Sequence, residues 1–193
     1  MRRNIICSLT ILSCLTLAAA SASRIKAQNP WQKADAEMVR LSPNAFPELP
    51  RPISHKLISL GCTIPQAKEL SFRHNVIKGH FRKPGQTDWA VLCSRKQISS
   101  IIIFWRGSVA RFSEISRGPD EEFLQTIDGQ GTIGFSRAIG AADQEYILEH
   151  YRSYDGPKPP PLNHEGIEDA FLGKVSTIYY YFARRWRELQ GGD

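Results

Sequence analysis

The run Ile101-Ile102-Ile103-Phe104-Trp105 puts five large apolar side chains on consecutive positions. Side chains of a strand point alternately to opposite faces, so both faces of any sheet that contains this run must be covered. An edge strand, or a sheet with one wet face, cannot hold it. The residues around it supply the frame: from Asn75 to Gly107 the chain reads NVIKGHFRKPGQTDWAVLCSRKQISSIIIFWRG. A loop at Lys83-Pro84-Gly85-Gln86 and a turn at Arg95-Lys96-Gln97 divide its β-forming residues. The spacing predicts a meander whose second strand is Thr87–Ser94 and whose third, Ile98–Arg106, is the centre of the sheet.

The chain opens Met1-Arg2-Arg3-Asn4, continues almost wholly apolar from Ile5 to Leu17, and then gives Ala18-Ala19-Ala20-Ser21-Ala22. A basic start, an apolar core and small residues are the three regions of a secretory signal peptide. The core is shorter than the roughly 20 residues a spanning helix needs, and no other run of that length follows. Cleavage is expected after Ala20, Ala22 or Ala27, with Ala27 favoured because Gln28-Asn29-Pro30 begins a polar stretch. Cys14 follows Leu12-Ser13, but the apolar run continues past it and Leu12 is bulky for a lipid-acceptor signal. The expected organisation is a signal peptide over 1–27 and a single exported α+β domain over 28–193, periplasmic or secreted, with no membrane span.

Charge then excludes one class of partner. The full chain carries +6, but Arg2, Arg3, Arg24 and Lys26 lie in the signal segment, which leaves 21 basic against 19 acidic residues and a net of +2. Nucleic-acid binding needs a concentrated basic face, and no nucleic-acid partner is expected. The same near-balance argues against an inhibitor of a basic lysozyme-like enzyme. Cys7 and Cys14 also belong to the signal segment, so Cys62 and Cys93 are the remaining pair. In an exported protein such a pair predicts a disulfide, which stabilises by roughly 3 to 4 kcal/mol for a loop of this size.

Along the chain, Trp31–Arg40 predicts a short helix with Trp31, Ala34 and Met38 on one stripe, followed by a proline-rich strap from Ser42 to Pro52. Pro52–Leu60 has start and stop signals for a second helix, with Ile53, Leu57 and Leu60 at helical spacing and Gly61 beyond. Ser108–Ile115 and Phe123–Ile127 read as strands split by a turn at Arg117-Gly118-Pro119-Asp120. Asp128-Gly129-Gln130-Gly131 reads as a hairpin turn into a strand Thr132–Ile139. Ala141–Tyr154 is the clearest helix, through Ala142, Tyr146, Ile147 and Tyr151, and Asp155-Gly156-Pro157-Lys158-Pro159-Pro160-Pro161 is a stiff connector. Gly166–Leu172, Lys174–Phe182 and Trp186–Leu189 close the chain as strands. The expected fold class is α+β, predominantly antiparallel β-sheet with a few short helices packed against it, here a sheet with a helix on one face.

Gly79-His80-Phe81, Gly85 and Asp88-Trp89-Ala90-Val91-Leu92 resemble one copy of the FG-GAP or VCBS repeat, in which a calcium loop joins two strands. The resemblance departs at the ligands. Calcium takes six to eight oxygens, whereas the loop Arg82–Thr87 holds two cations and is followed by Asp88 as its only carboxylate, so the resemblance implies the hairpin without the metal. More widely, Gly61-Cys62-Thr63-Ile64-Pro65-Gln66, Asp88–Ser94, His164-Glu165-Gly166-Ile167 and Lys174–Tyr180, with Trp186 and Gly192-Asp193, resemble an uncharacterised family of exported bacterial proteins. That resemblance implies export and the paired cysteines, and no activity.

Several stretches carry candidate chemistry. Gly129-Gln130-Gly131-Thr132-Ile133-Gly134 matches GxGxxG, but the dinucleotide fingerprint must open a helix and Thr132–Ile139 reads as strand, so no cofactor is expected. Gly134-Phe135-Ser136-Arg137-Ala138 lacks the final small residue of a nucleophile elbow. His164, Glu165 and Asp169 gather an imidazole and carboxylates and are the candidate catalytic residues of a small hydrolase with an acid–base or metal site. No metal ligand set such as HExxH is present, and backbone capping at a turn is the competing role. Tyr179, Tyr180, Tyr181 and Phe182 alternate across a strand, so one face belongs to the core and the other is free for a ligand. Tyr179 and Tyr181 are the candidate binding residues, and Trp186 is expected to stack on the preceding strand. The functional expectation is a non-catalytic binding or interaction module for a protein, peptide or envelope glycan, with the small hydrolase as the alternative.

Overall fold

The computed structural model describes residues 29–154 and 156–191. The expected signal segment 1–27 and the terminal Gly192-Asp193 lie outside the described residues.

Helix α1 (Pro30–Glu37) starts where the Asn29 side chain accepts a hydrogen bond from the Trp31 N–H, with Pro30 in the first turn. Strand β1 (Arg40–Leu41) leads into a single 3-10 turn, Pro43–Ala45, and then α2 (Arg51–Ser59). The helix ends at Gly61, whose φ of +72° a side chain would resist, and the chain turns into Cys62. Cys62 is disulfide-bonded to Cys93, with Cα atoms 5.3 Å apart. Strand β2 (Ile64–Pro65) pairs antiparallel with β1.

The meander follows as β3 (Val76–Gly79), β4 (Asp88–Arg95) and β5 (Ile98–Phe104), extended by β6 (Phe112–Pro119) in the order β3-β4-β5-β6. The apolar run of β5 divides by parity. Ile102 and Phe104 face outward with Val91 and Cys93, and pack on Ile53 and Leu57 of α2 and on Phe46 and Leu49 of the strap. Ile101 and Ile103 face inward with Ala90 and Leu92. Each such side chain contributes roughly 1.5 to 3 kcal/mol on burial.

The inner face is covered by a second sheet, which the sequence reading did not anticipate. After a small hairpin of β7 (Leu124–Thr126) and β8 (Ile133–Phe135) come β9 (Arg137–Ala142), α3 (Gln144–Tyr154), β10 (Gly166–Phe171), β11 (Val175–Phe182) and β12 (Arg185–Gln190). The last four strands form an antiparallel sheet in the order β12-β11-β10-β9. Ile139 and Ile167 pack against the first sheet, while Ala142, Ile178, Tyr180 and Leu189 pack against Ile147 of α3. The layers therefore run helix, sheet, sheet, helix, in an α+β fold built mainly from antiparallel strands. Among the described residues no helix is long and apolar enough to cross a membrane.

Three local expectations are corrected. The turn placed at Arg117–Asp120 is instead strand as far as Pro119, with a 3-10 turn starting at Asp120, because a register shift opposite Ser99–Ile101 and a left-handed Ser116 (φ 51°) absorb the irregularity as a bulge. Pro119 is tolerated because β6 is an edge. The strand Thr132–Ile139 breaks at Ser136, with β8 going to the hairpin and β9 to the second sheet. The helix expected from Ala141 begins at Gln144, since Ala142 still pairs with Gly166 and Asp143 caps the Tyr146 N–H at 2.8 Å.

Polar groups join the two sheets. Asn75, buried and left-handed (φ 72°), accepts from Ile139 N–H at 2.9 Å and donates to the Arg137 carbonyl at 3.2 Å, as a strand backbone would. Arg137, fully buried, donates to both oxygens of Asp169 at 2.8 and 2.7 Å and to Ser99 at 2.9 Å. Its guanidinium also lies 4.2 Å from the Phe123 ring centroid.

Candidate functional site

His164 and Glu165 immediately precede β10, and β10 carries Asp169 five residues beyond His164, a distance of about 16 Å in extended chain. The three do not converge. Asp169 points between the sheets and is held by Arg137 and by the Ser116 hydroxyl at 2.5 Å. His164 and Glu165 instead line an open hollow of about 400 Å³ with His80, Asp143 and Glu145.

Local geometry decides what that hollow can do. Glu165 Oε2 accepts the His80 N–H at 2.6 Å. Gly79 makes this approach possible, because a Cβ there would stand 2.8 Å from the same oxygen and 2.6 Å from the Phe81 ring. His80 Nδ1 lies 2.8 Å from the Gln86 carbonyl and His164 Nδ1 lies 2.9 Å from the Glu165 carbonyl. Both rings must carry a proton on Nδ1 to donate to these carbonyls. Among the described residues neither imidazole has a hydrogen bond to a carboxylate, and Glu165 is engaged as a backbone acceptor. Among the described residues no three His, Cys, Asp or Glu side chains are placed to hold a metal ion. The hydrogen bonds of His80, His164 and Glu165 in the structure all go to backbone groups and close the loops that carry them.

The terminal hairpin offers a different surface. Register pairs Tyr181 with Trp186, Tyr180 with Arg187 and Tyr179 with Glu188. Tyr181 and Trp186 are 5.5 Å apart edge to face, and both meet Trp105, at 5.1 and 5.6 Å. Trp105 opens a 3-10 turn just past β5, where the expected strand Ile98–Arg106 stops short. Tyr181, a candidate binding residue, is thus part of a half-buried aromatic cluster between the sheets. Tyr179 is half-buried beside it, and burial, against a smaller opposing effect of its Ser116 hydrogen bond, raises its hydroxyl pKa. Tyr180 packs against α3 and is likewise raised by burial.

Tyr179 also lines a hollow of about 570 Å³ that wraps the outer edge of β12. One side carries Tyr179, Trp186 and Glu188, and the other Phe182, Arg187 and the connector residues Pro157, Lys158 and Pro160. Phe182 is 41 % exposed. Because β12 is the last strand of its sheet, alternate backbone N–H and C=O groups face outward from the sheet. Sequence reading missed Phe182 and the prolines. Alternation puts Phe182 on the face of Tyr180, opposite Tyr179 and Tyr181, and nothing in the Pro157–Pro161 run reports that it folds back along β12.

The remaining candidates take ordinary structural places. Gly129–Gly131 form the β7–β8 turn, and strand follows, so no helix N-terminus faces the glycines. The Ser136 hydroxyl donates to Glu69 and has no imidazole partner among the described residues. No protein-family model, curated protein or solved structure matches this chain.

Proposed function

We propose that this chain is a non-catalytic binding module of an exported protein, and that it holds an extended peptide segment of a partner against the open edge of β12. The observation that carries the reading is the hollow on both sides of that edge, with Tyr179 and Trp186 on one side and Phe182, Pro157 and Pro160 on the other. A peptide added as a further strand pairs its backbone with the outward groups of β12 and sends alternate side chains to the two walls, which mix aromatic and proline surface with Glu188, Arg187 and Lys158. The Cys62–Cys93 disulfide supports an oxidising compartment, as does the signal-like start of the sequence. The hydrolase alternative has less support, since Asp169 is committed to Arg137 and Glu165 to the His80 N–H.

The test is a displayed library of heptapeptides screened on the immobilised protein, with selected binders measured by calorimetry against Phe182→Ala. Phe182 is exposed enough that its truncation should change stability by less than about 1 kcal/mol. As an aromatic anchor its loss should weaken binding about 30-fold. A library that yields no binder while envelope oligosaccharides bind would replace the peptide by a glycan. Binders indifferent to Phe182→Ala would move the site elsewhere.

A further inference from the structure

We infer that a second hollow, lined by Arg82, Lys83, Gln86, Trp105, Arg106 and Arg111, is an oxyanion site that takes a phosphoryl or sulfuryl group. It encloses about 410 Å³. Trp105 forms part of its wall and stacks at 5.6 Å on Trp186, which belongs to the wall of the β12 hollow, so the two sites are neighbours with separate linings.

Four cations meet here and no carboxylate lines the space. Among the described residues none of the four is ion-paired, whereas Arg40, Arg95 and Arg137 each have a carboxylate partner. In a chain with nearly balanced charge outside its signal segment, such a group is a local excess of repulsion that a bound anion relieves.

Two of the cations are held in place before any ligand arrives. Arg106 has φ 56° and ψ 28°, a conformation that residues with a side chain seldom adopt. It is fixed by its N–H, which donates to Asp88 Oδ1 at 2.8 Å, and by its Nε, which donates to Gln86 Oε1 at 3.2 Å. Gln86 in turn donates through Nε2 to the same Asp88 oxygen at 2.8 Å. Asp88 is fully buried beneath Gln86 and is not part of the lining, so it holds the Arg106 backbone directly and the guanidinium only through Gln86. Arg82 lies over the rings of Trp105 and Tyr181, 5.8 and 5.6 Å from their centroids. Lys83 and Arg111 are exposed and able to close on a ligand. Guanidinium forks match the oxygens of a tetrahedral oxyanion two at a time, and several cations favour a multiply charged group over a single carboxylate.

The experiment is calorimetric titration at low ionic strength with pyrophosphate as the phosphoryl probe, a trisulfated heparin disaccharide as the sulfuryl probe and hexaglutamate as the carboxylate control. At least one of the first two should bind, and the tighter of them names the source of the group. Affinity should fall about tenfold in Lys83→Gln and in Arg111→Gln, further in the double variant, and not at all in Lys33→Gln, whose lysine pairs with Glu37 on α1. Both substituted side chains are exposed, so unfolding midpoints should match the parent and exclude misfolding as a cause. Absence of binding by both probes, a double variant with parental affinity, or hexaglutamate binding tighter than either probe would overturn the assignment.

Discussion

Asp169→Asn should be among the most damaging single substitutions in this protein, although it removes one charge and almost no volume. Asp169 is 8 % exposed and accepts from Arg137 Nε at 2.8 Å, from Arg137 Nη2 at 2.7 Å and from the Ser116 hydroxyl at 2.5 Å. Its partner guanidinium is fully buried between the sheets. The amide turns one acceptor into a donor facing a cation and leaves Arg137 without a counter-charge, which for a buried pair costs about 3 to 5 kcal/mol. For a domain of this size that corresponds to a fall in Tm of roughly 6 to 20 °C. Urea unfolding followed by circular dichroism measures it. Replacing both partners by leucine should recover most of the loss, because two matched apolar side chains remove the desolvation cost together. An Asp169→Asn protein within about 1 kcal/mol of the parent would refute the structural role and return Asp169 to the list of groups available for chemistry.

Reduction of Cys62–Cys93 should cost roughly 3 to 4 kcal/mol, given a sequence separation of 31, and thiol labelling of unfolded, unreduced protein should find neither cysteine free; labelling at both positions contradicts the bridge. Calcium should not bind at Arg82–Thr87, so calorimetric titration should show no micromolar site; one that disappears in Asp88→Ala would show the metal was wrongly dismissed. Burial of His150 pushes its pKa below the ordinary 6.5, against a weaker upward pull from Glu168. The unfolded chain then binds a proton before the folded one does, so this contribution to stability is complete above about pH 6.5 and is lost as pH falls through the folded value. The urea midpoint of the parent should drop more steeply than that of His150→Gln between pH 7.5 and 5, and parallel curves would contradict the burial.

The parts of the fold that were legible in the sequence are those whose signal is local. Ile101–Phe104 demanded two covered faces and has them. Cys62 and Cys93 were the available pair, and the Asp128–Gly131 turn carried its own hairpin signal. The second sheet was not legible as a separate layer, because its contacts are between residues far apart, Ile139 and Ile167 against Ile101 and Ile103. Asn75 replacing a strand backbone, and Arg137 meeting an acid 32 residues away, likewise have no signature in their neighbours. For the candidate site, strict alternation was more informative than clustering. It places Ile167 and Asp169 toward the first sheet and Glu168 toward α3, where its carboxylate accepts from the Tyr146 hydroxyl at 2.6 Å. Tyr146, desolvated and hydrogen-bonded to that carboxylate, has its pKa raised to about 12. The aromatic content of β11 drew attention to the terminal hairpin, but the exposed edge and the returning proline connector exist only in three dimensions.

The most direct test of a binding module built on β12 is amide hydrogen exchange, residue by residue, with and without a library-selected peptide. Strand addition predicts that the alternate amides of Arg185–Gln190 that face outward gain protection on binding, that the inward set changes little, and that the peptide is recovered uncleaved. Unchanged exchange along β12, with protection or peptide cleavage localised instead at His80, His164 and Glu165, would contradict the account.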